Sequence, residues 1–221
     1  MTYPRTAAQG LLLENTMEKL DFKKELAQLY NPRNRQWELV EVPDMNFLMI
    51  DGKGDPNTAR DYSDAVEALY SVAYAIKFRS KKELGQDYGV PPLEGLWSAS
   101  DPSVFENAEK DQYEWTMMIM QPAWITDAMA SEAVAATTAK KQLPALSKIR
   151  FERYAEGWSL QLLHIGSFDD EAPKLKYLHT EYLPEHNLTF NGRHHEIYLS
   201  DLRKSPPSNL KTILRQPVRQ L

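Results

Sequence analysis

The sequence predicts an α+β fold: duplicated strand-helix-strand-strand units joined into a curved, mainly antiparallel sheet, with helices on one face and a ligand cleft on the other. Three observations predict it. Apolar residues follow the two-residue period of a strand in some stretches and the 3.6-residue period of a helix in others. The order of these stretches repeats once along the chain. Each unit has one helix for about three strands, enough to cover a single sheet face.

Residues 1–16 are weakly patterned and Met17-Glu18-Lys19-Leu20 reads as a fresh beginning, so a disordered tail is expected there. Residues 17–221 are expected to form one domain of two repeats, about 37–124 and 149–221, with a helical connector. Phe22, Leu26 and Leu29-Tyr30 recur at helical spacing before Asn31-Pro32 ends the pattern. Trp37–Val42 and Met45–Asp51 read as strands, separated by Pro43-Asp44. From Thr58 to Phe78 the period changes, and Tyr62, Val66, Leu69-Tyr70, Ala73-Tyr74 and Phe78 form one helical stripe. Tyr70 and Tyr74, four residues apart, are neighbours on that helix.

Pro91-Pro92 opens a strand through Leu93-Glu94-Gly95-Leu96-Trp97, and an acidic loop follows over residues 101–112. Trp115–Met120 is a dense apolar strand stopped at Gln121-Pro122. Alanine-rich residues 125–141 read as a helix ending in Lys140-Lys141, whose charges suit a helix C-terminus. Residues 149–154 and 158–165 read as a hairpin around Glu156-Gly157. Gly166-Ser167-Phe168-Asp169-Asp170 opens a helix with Leu175, Leu178 and Leu183 on its stripe. Residues 194–199 and 210–214 give the last strands, the second ending at Gln216-Pro217.

The repeat aligns Met49-Ile50-Asp51-Gly52 with Leu163-His164-Ile165-Gly166. It aligns Leu93-Glu94-Gly95-Leu96-Trp97 with His195-Glu196-Ile197-Tyr198-Leu199, and Met118-Ile119-Met120-Gln121-Pro122 with Ile213-Leu214-Arg215-Gln216-Pro217. Glu94 and Glu196 are thereby repeat mates. A join between such units favours a ligand cleft.

Strand alternation puts His194, Glu196 and Tyr198 on one face and His195 and Ile197 on the other. A carboxylate on a half-buried strand face must be paired, hydrogen-bonded or lining a cavity. Glu196 is therefore the central candidate, followed by Tyr198 and Trp97, with Glu94 as its mate. Tyr70, Tyr74, Met118, Met120, His194 and His164 are candidate ligand contacts. Parity sets a condition: in a regular strand Trp97 and Glu94 face opposite ways, unless Gly95 marks a bulge.

Composition excludes several classes. A net charge of -5 argues against a phosphate-backbone binder. Zero cysteines exclude disulfides, thiolate metal sites and thiol nucleophiles, and fit a cytoplasmic protein. No apolar run approaches the roughly 20 residues that span a bilayer, and Leu11-Leu12-Leu13 before Glu14 is too short for a signal peptide. No phosphate loop, dinucleotide fingerprint or Gly-x-Ser-x-Gly elbow is present. The five histidines have no ligand spacing, so neither a metal nor another cofactor is expected.

His164-Ile165-Gly166-Ser167-Phe168 resembles the His-x-Gly-Pro-Tyr stretch of the GyrI-like small-molecule-binding domain, departing from it at Ser167 and Phe168. Glu196-Ile197-Tyr198 resembles that family's Glu-(Ile/Val)-Tyr strand. The runs 46–56, 91–97, 115–122 and 194–201 are similar to its stand-alone branch, and the resemblance covers residues 17–221. It implies a pocket in which Glu196 meets polar or cationic aromatic ligands, as in multidrug-responsive regulators. Some members of the branch hydrolyse the cyclopropane ring of DNA-alkylating cyclopropanoid natural products. Residues 1–36 are too short for a helix-turn-helix, so no direct nucleic-acid contact is expected.

Two functions compete on these residues. As a hydrolase, Glu196 activates water for attack on a strained ring while Tyr198 or Trp97 holds the substrate carbonyl. As a binding module for sensing or sequestration, Glu196 supplies the charge and Trp97, Tyr70, Tyr74 and Tyr198 the stacking faces. The partner in both is a hydrophobic aromatic small molecule, met by a monomer or homodimer away from any membrane. A gyrase-inhibitor-like interaction protein ranks third.

Overall fold

Nine strands form one antiparallel sheet in the computed structural model, which describes residues 19–221 except 102, 103, 105, 106, 108, 202 and 203. The expected tail lies outside the described residues. The strands are β1 (Glu38–Val42), β2 (Met45–Lys53), β3 (Leu93–Ser98), β4 (Glu114–Gln121) and β5 (Arg150–Tyr154), then β6 (Gly157–Ile165), β7 (Leu188–Phe190), β8 (His194–Tyr198) and β9 (Lys211–Gln220). Helices α1 (Phe22–Glu25) and α2 (Ala27–Tyr30) precede them. Helix α3 (Arg60–Arg79) links β2 to β3, and α4 (Asp127–Thr138) follows β4. Between β6 and β7 a 3-10 turn, Phe168–Glu171, leads into α5 (Ala172–Tyr177) and, past a wider turn, α6 (Leu183–Glu185).

The strand order is β1-β6-β9-β8-β3-β4-β2-β5, with β7 pairing β9 off this path. The repeats β2-α3-β3-β4 and β6-α5-β8-β9 thus meet at the β3–β8 pair. The strand preceding each repeat is exchanged: β1 pairs with β6 and β5 with β2. The hairpin expected around Glu156-Gly157 is therefore not one, because β5 and β6 take different partners. Glu156 turns into the interior to meet His195 and Arg215, which carries the chain across the gap between the sheet edges. Strand β9 also runs past its expected end at Gln216-Pro217. The Pro217 carbonyl accepts from the Asn191 N–H, and β7 continues the pairing to Gln220.

Every strand but β7 contributes to one cluster on the side away from the long helices, including Val40, Val42, Phe47, Met49, Leu96, Met118, Met120, Ile197 and Ile213. The sheet curls around this cluster, and Leu29 and Tyr30 of α2 plug it. Among the described residues that face is a packed interior rather than an open cleft. On the helix-bearing face, α3 lays Ala65, Ala68, Leu69, Val72, Ala73 and Ile76 over Leu48, Ile50, Met117 and Ile119. Small residues at this spacing bring helix and sheet close. Leu178 and Leu183 pack on Leu160, Leu162, Leu214 and Val218 over the second repeat. The seam between these two layers lies over β3 and β8.

Register shows why the two glutamates differ. Glu94 pairs with Met118, whose repeat mate Ile213 pairs with Ile197, not with Glu196. The structural counterpart of Glu94 is Ile197, one residue beyond the match read from the motifs. A slip of one residue moves a side chain to the other face.

Candidate functional site

Strands β3 and β8 pair Gly95 with Glu196 and Trp97 with His194, without a bulge. Trp97, Tyr198 and Glu196 therefore project together on the helix-bearing face. The Trp97 indole N–H donates to the Tyr198 hydroxyl at 2.9 Å, and that hydroxyl donates to Glu196 Oε2 at 2.8 Å. Gly95 makes room for this relay. A Cβ there would lie 2.9 Å from Trp97 Nε1 and 3.0 Å from the Tyr198 oxygen. Burial, then the Glu196 charge, hold the Tyr198 phenol well above its ordinary pKa, so it stays a donor.

Aromatic rings enclose the relay. Tyr62 of α3 stacks on Trp97 at 6.4 Å, Tyr113 stands edge-on to Trp97 at 6.2 Å, and Phe168 stands edge-on to Tyr198 at 5.9 Å. His194 Nε2 lies 3.5 Å from Glu196 Oε1, and among the described residues neither ring nitrogen of His194 has a hydrogen-bond partner. The Glu196 and His194 side chains are 14% and 16% exposed, so both are mostly buried. Beyond Tyr198, its cross-strand neighbour Thr212 is followed by His164, and Glu171 is buried against this row. Two open surface depressions lie elsewhere, one around Lys23, Asn31 and Lys211 and the other around Asp51, Thr116 and Arg193.

A carboxylate held by a donor relay inside an aromatic enclosure thus lies at the seam of the two repeats. Residues 35–219 match the family profile of the GyrI-like small molecule binding domain. The chain belongs to this family. A crystal structure of an uncharacterized conserved protein from Listeria innocua is 40% identical with a TM-score of 0.83, covering 91% of this chain and all of that one. A hydrolase from Listeria innocua is 38% identical with a TM-score of 0.79 over the same shares. The C-terminal domain of EcmrR, at 11% identity and a TM-score of 0.52, covers 84% of this chain and 98% of its own, and shares the fold. No curated protein matches the chain.

The GyrI-like domain brings Glu196, Tyr198, Trp97 and His194 together, with His164 at the flank. It puts Glu94, Met118 and Met120 on the interior face, away from them. Tyr70 packs at the margin of the α3 layer, while Tyr74 is 47% exposed between Tyr70 and Phe78, outside the enclosure. A helical stripe is wider than one site, and its Tyr62 end stacks on Trp97 of the relay. Tyr62 stands eight residues before Tyr70 on that stripe, so the period held the signal. Tyr113, Phe168, Glu171 and Thr212 come from loops and strand register and had no such signal.

Glu94 belongs to a buried network of the interior. It accepts from the Tyr30 hydroxyl at 2.8 Å and lies 3.0 Å from His195 Nε2. His195 Nδ1 is 2.9 Å from Glu156, to which Arg215 donates at 3.2 Å. Arg215 also donates to Gln161 and, at 2.8 Å, to the Leu29 carbonyl. Burial disfavours a charged His195, but Glu156 and Glu94 outweigh it and raise its pKa. Burial likewise opposes charge on Glu156, yet His195 and Arg215 hold its carboxyl at about 2. Among the described residues no group of three His, Asp or Glu could hold a metal ion, and no helix is long and apolar enough to cross a membrane.

Proposed function

We propose that this GyrI-like domain binds flat, hydrophobic aromatic compounds at the Glu196 seam and hydrolyses those that carry a conjugated cyclopropane. The observation that carries the proposal is the Glu196 carboxylate, oriented by Tyr198 and Trp97 within the aromatic enclosure. The 38% identity to hydrolases of Listeria innocua supports the catalytic part.

A flat ligand enters by displacing the Tyr62 ring from its stack on Trp97 and takes over that stacking face. The relay fixes the direction in which Glu196 presents its free oxygen, on the side of His194. There the carboxylate takes a proton from water as the water oxygen attacks the ring methylene, a general-base role worth about 10²–10⁴ in rate. Ring strain supplies much of the driving force. The Tyr198 and Trp97 protons are already committed within the relay, so these two act first by orienting Glu196.

Incubation with a duocarmycin-type cyclopropanoid, followed by mass spectrometry, tests this. Wild type is expected to release the ring-opened product, and E196Q to bind the compound without converting it. Binding without product from wild type would reduce the protein to a binding module. No binding at all would remove the site.

A further inference from the structure

Glu171 is a buried carboxyl for which the relay has no task. It ends the turn Phe168–Glu171 and is 4% exposed. Its carboxyl is hydrogen-bonded to the Thr212 hydroxyl, while its Oε1 has no hydrogen-bond partner among the described residues. Thr212 is the cross-strand neighbour of Tyr198, and Phe168 of the same turn stands against the Tyr198 ring. The turn thus delivers Glu171 beside the Tyr198–Glu196 pair.

Among the described residues Lys174 is the cation whose charge acts on Glu171 and favours its ionised form, and no ion pair joins the two. The Lys174 ammonium is 3.0 Å from His164 Nδ1 and donates there. His164 Nε2 is 2.9 Å from the Ser167 carbonyl, so its proton points there and the ring is neutral. That nitrogen is 4.0 Å from Glu171 Oε1, beyond a hydrogen bond. The remaining groups that act on Glu171 are acids, Glu196 of β8 and Asp169 of its own turn. Ionised, Glu171 would be an unpaired buried charge beside a second carboxylate.

We propose that Glu171 is a carboxylic acid at neutral pH and the proton donor of the site, paired with Glu196 as the base. Burial first, then the Glu196 charge, push its pKa to about 9, in accord with this geometry. Two carboxyls whose surroundings separate their proton affinities divide into acid and base. The donor role rests on the hydrolytic function proposed for Glu196; the protonation state does not.

The chemistry balances. Glu196 removes a proton from water as the water oxygen bonds to the cyclopropane methylene. The ring C–C bond breaks and its electron pair passes through the conjugated system to the carbonyl oxygen. Glu171 protonates that oxygen, giving a phenol. The proton on Glu196 then restores Glu171, which holds it more tightly. One water is consumed, with no oxidant or reductant. With one carboxylate and one acid, the site favours neutral or singly cationic compounds that present an acceptor oxygen.

Infrared spectroscopy of the full chain tests the acid without any ligand. A protonated-carboxyl band is expected at pH 7 in wild type and absent from E171Q, whose amide is isosteric with the acid. In E196Q the band should titrate away at lower pH than in wild type, because one cause of the raised affinity is gone. No such band at pH 7, or a band that E196Q leaves unmoved, would overturn the proposal; this comparison stands even if E171Q does not fold. Turnover of a duocarmycin-type compound tests the donor. E171Q should bind it but form product about 100-fold more slowly, and wild-type turnover should fall as Glu171 ionises with rising pH. Wild-type rates from a folded E171Q would remove the donor role. If wild type itself forms no product, the hydrolytic function fails and the infrared result still determines whether Glu171 is the acid.

Discussion

The two faces of the central β3–β8 pair each carry glutamates, and they treat them in opposite ways. On the interior face Glu94 and Glu156 are bonded through His195, with Tyr30 and Arg215 at the two ends. On the helix-bearing face, among the described residues, Glu196 has His194 unpaired beside it, and Glu171 keeps an oxygen without a hydrogen-bond partner. A buried network in which each member is matched specifies structure. Polar atoms left unsatisfied next to a carboxylate mark where chemistry is available. A slip of one residue along the strand separates the roles of Glu94 and Glu196.

The largest effect that can break this contrast is on stability. Removing one member of a buried charged network leaves its partners uncompensated, at about 3–5 kcal/mol. E156Q, which strips a charge from both His195 and Arg215, is expected to lose that much in denaturant unfolding. E196Q is expected to lose under about 1 kcal/mol, as for a substitution away from such networks, while abolishing ring opening. Equal losses from the two variants would mean that both faces are architectural.

Titration sharpens the comparison. His195 has a raised folded pKa, so its contribution is fully present below the unfolded value near 6.5 and is lost as pH rises through the folded one. Glu156 has a lowered one, so its contribution is present above the unfolded 4.5 and lost as pH falls through about 2. The interior is therefore firmest between these unfolded values. Glu171 behaves differently among the carboxyls: with a folded pKa of about 9, its contribution is present below 4.5 and declines as pH rises toward 9. Thermal unfolding from pH 4.5 to 9 should decline less steeply in E171Q than in wild type. Parallel curves would place the whole decline on the interior face.

The long strands and α3 were legible because periods of 2 and 3.6 are backbone geometry, and the repeat was legible from its motif order. The partner of β5 was not. It depends on Glu156 turning toward Arg215 and His195, residues far along the chain. Glu94 matched Glu196 in motif, yet short motifs do not register a slip of one residue. Gly166-Ser167-Phe168-Asp169-Asp170 read as a helix start, and the contact with Thr212 that sets the next acid, Glu171, inside had no signal there. Trp97 and Glu196 were legible as strand residues, whereas their link through Tyr198 needed the β3–β8 register.

The smallest expected effect probes the seam from between the two faces. Gly95 is flanked in β3 by Glu94, which faces inward, while its own absent side chain faces the relay. In G95A the new methyl would meet Trp97 Nε1 at 2.9 Å, the Tyr198 oxygen at 3.0 Å and Met117 Sδ at 3.3 Å. The ring and thioether ends can yield, so overpacking costs about 1 kcal/mol, at the low end for cores. The hydrogen bond from Trp97 to Tyr198 cannot keep its line over a methyl group, and Glu196 loses its fixed direction. Misplacing a reacting group by about 1 Å lowers rates up to 10²-fold, so ring opening by G95A should fall by roughly tenfold or more. The interior network, on the opposite face of the same strand, should keep its stability profile between pH 4.5 and 6.5. Full activity in G95A would show that Glu196 needs no relay; a lost interior profile would show that the two faces of this strand are one unit.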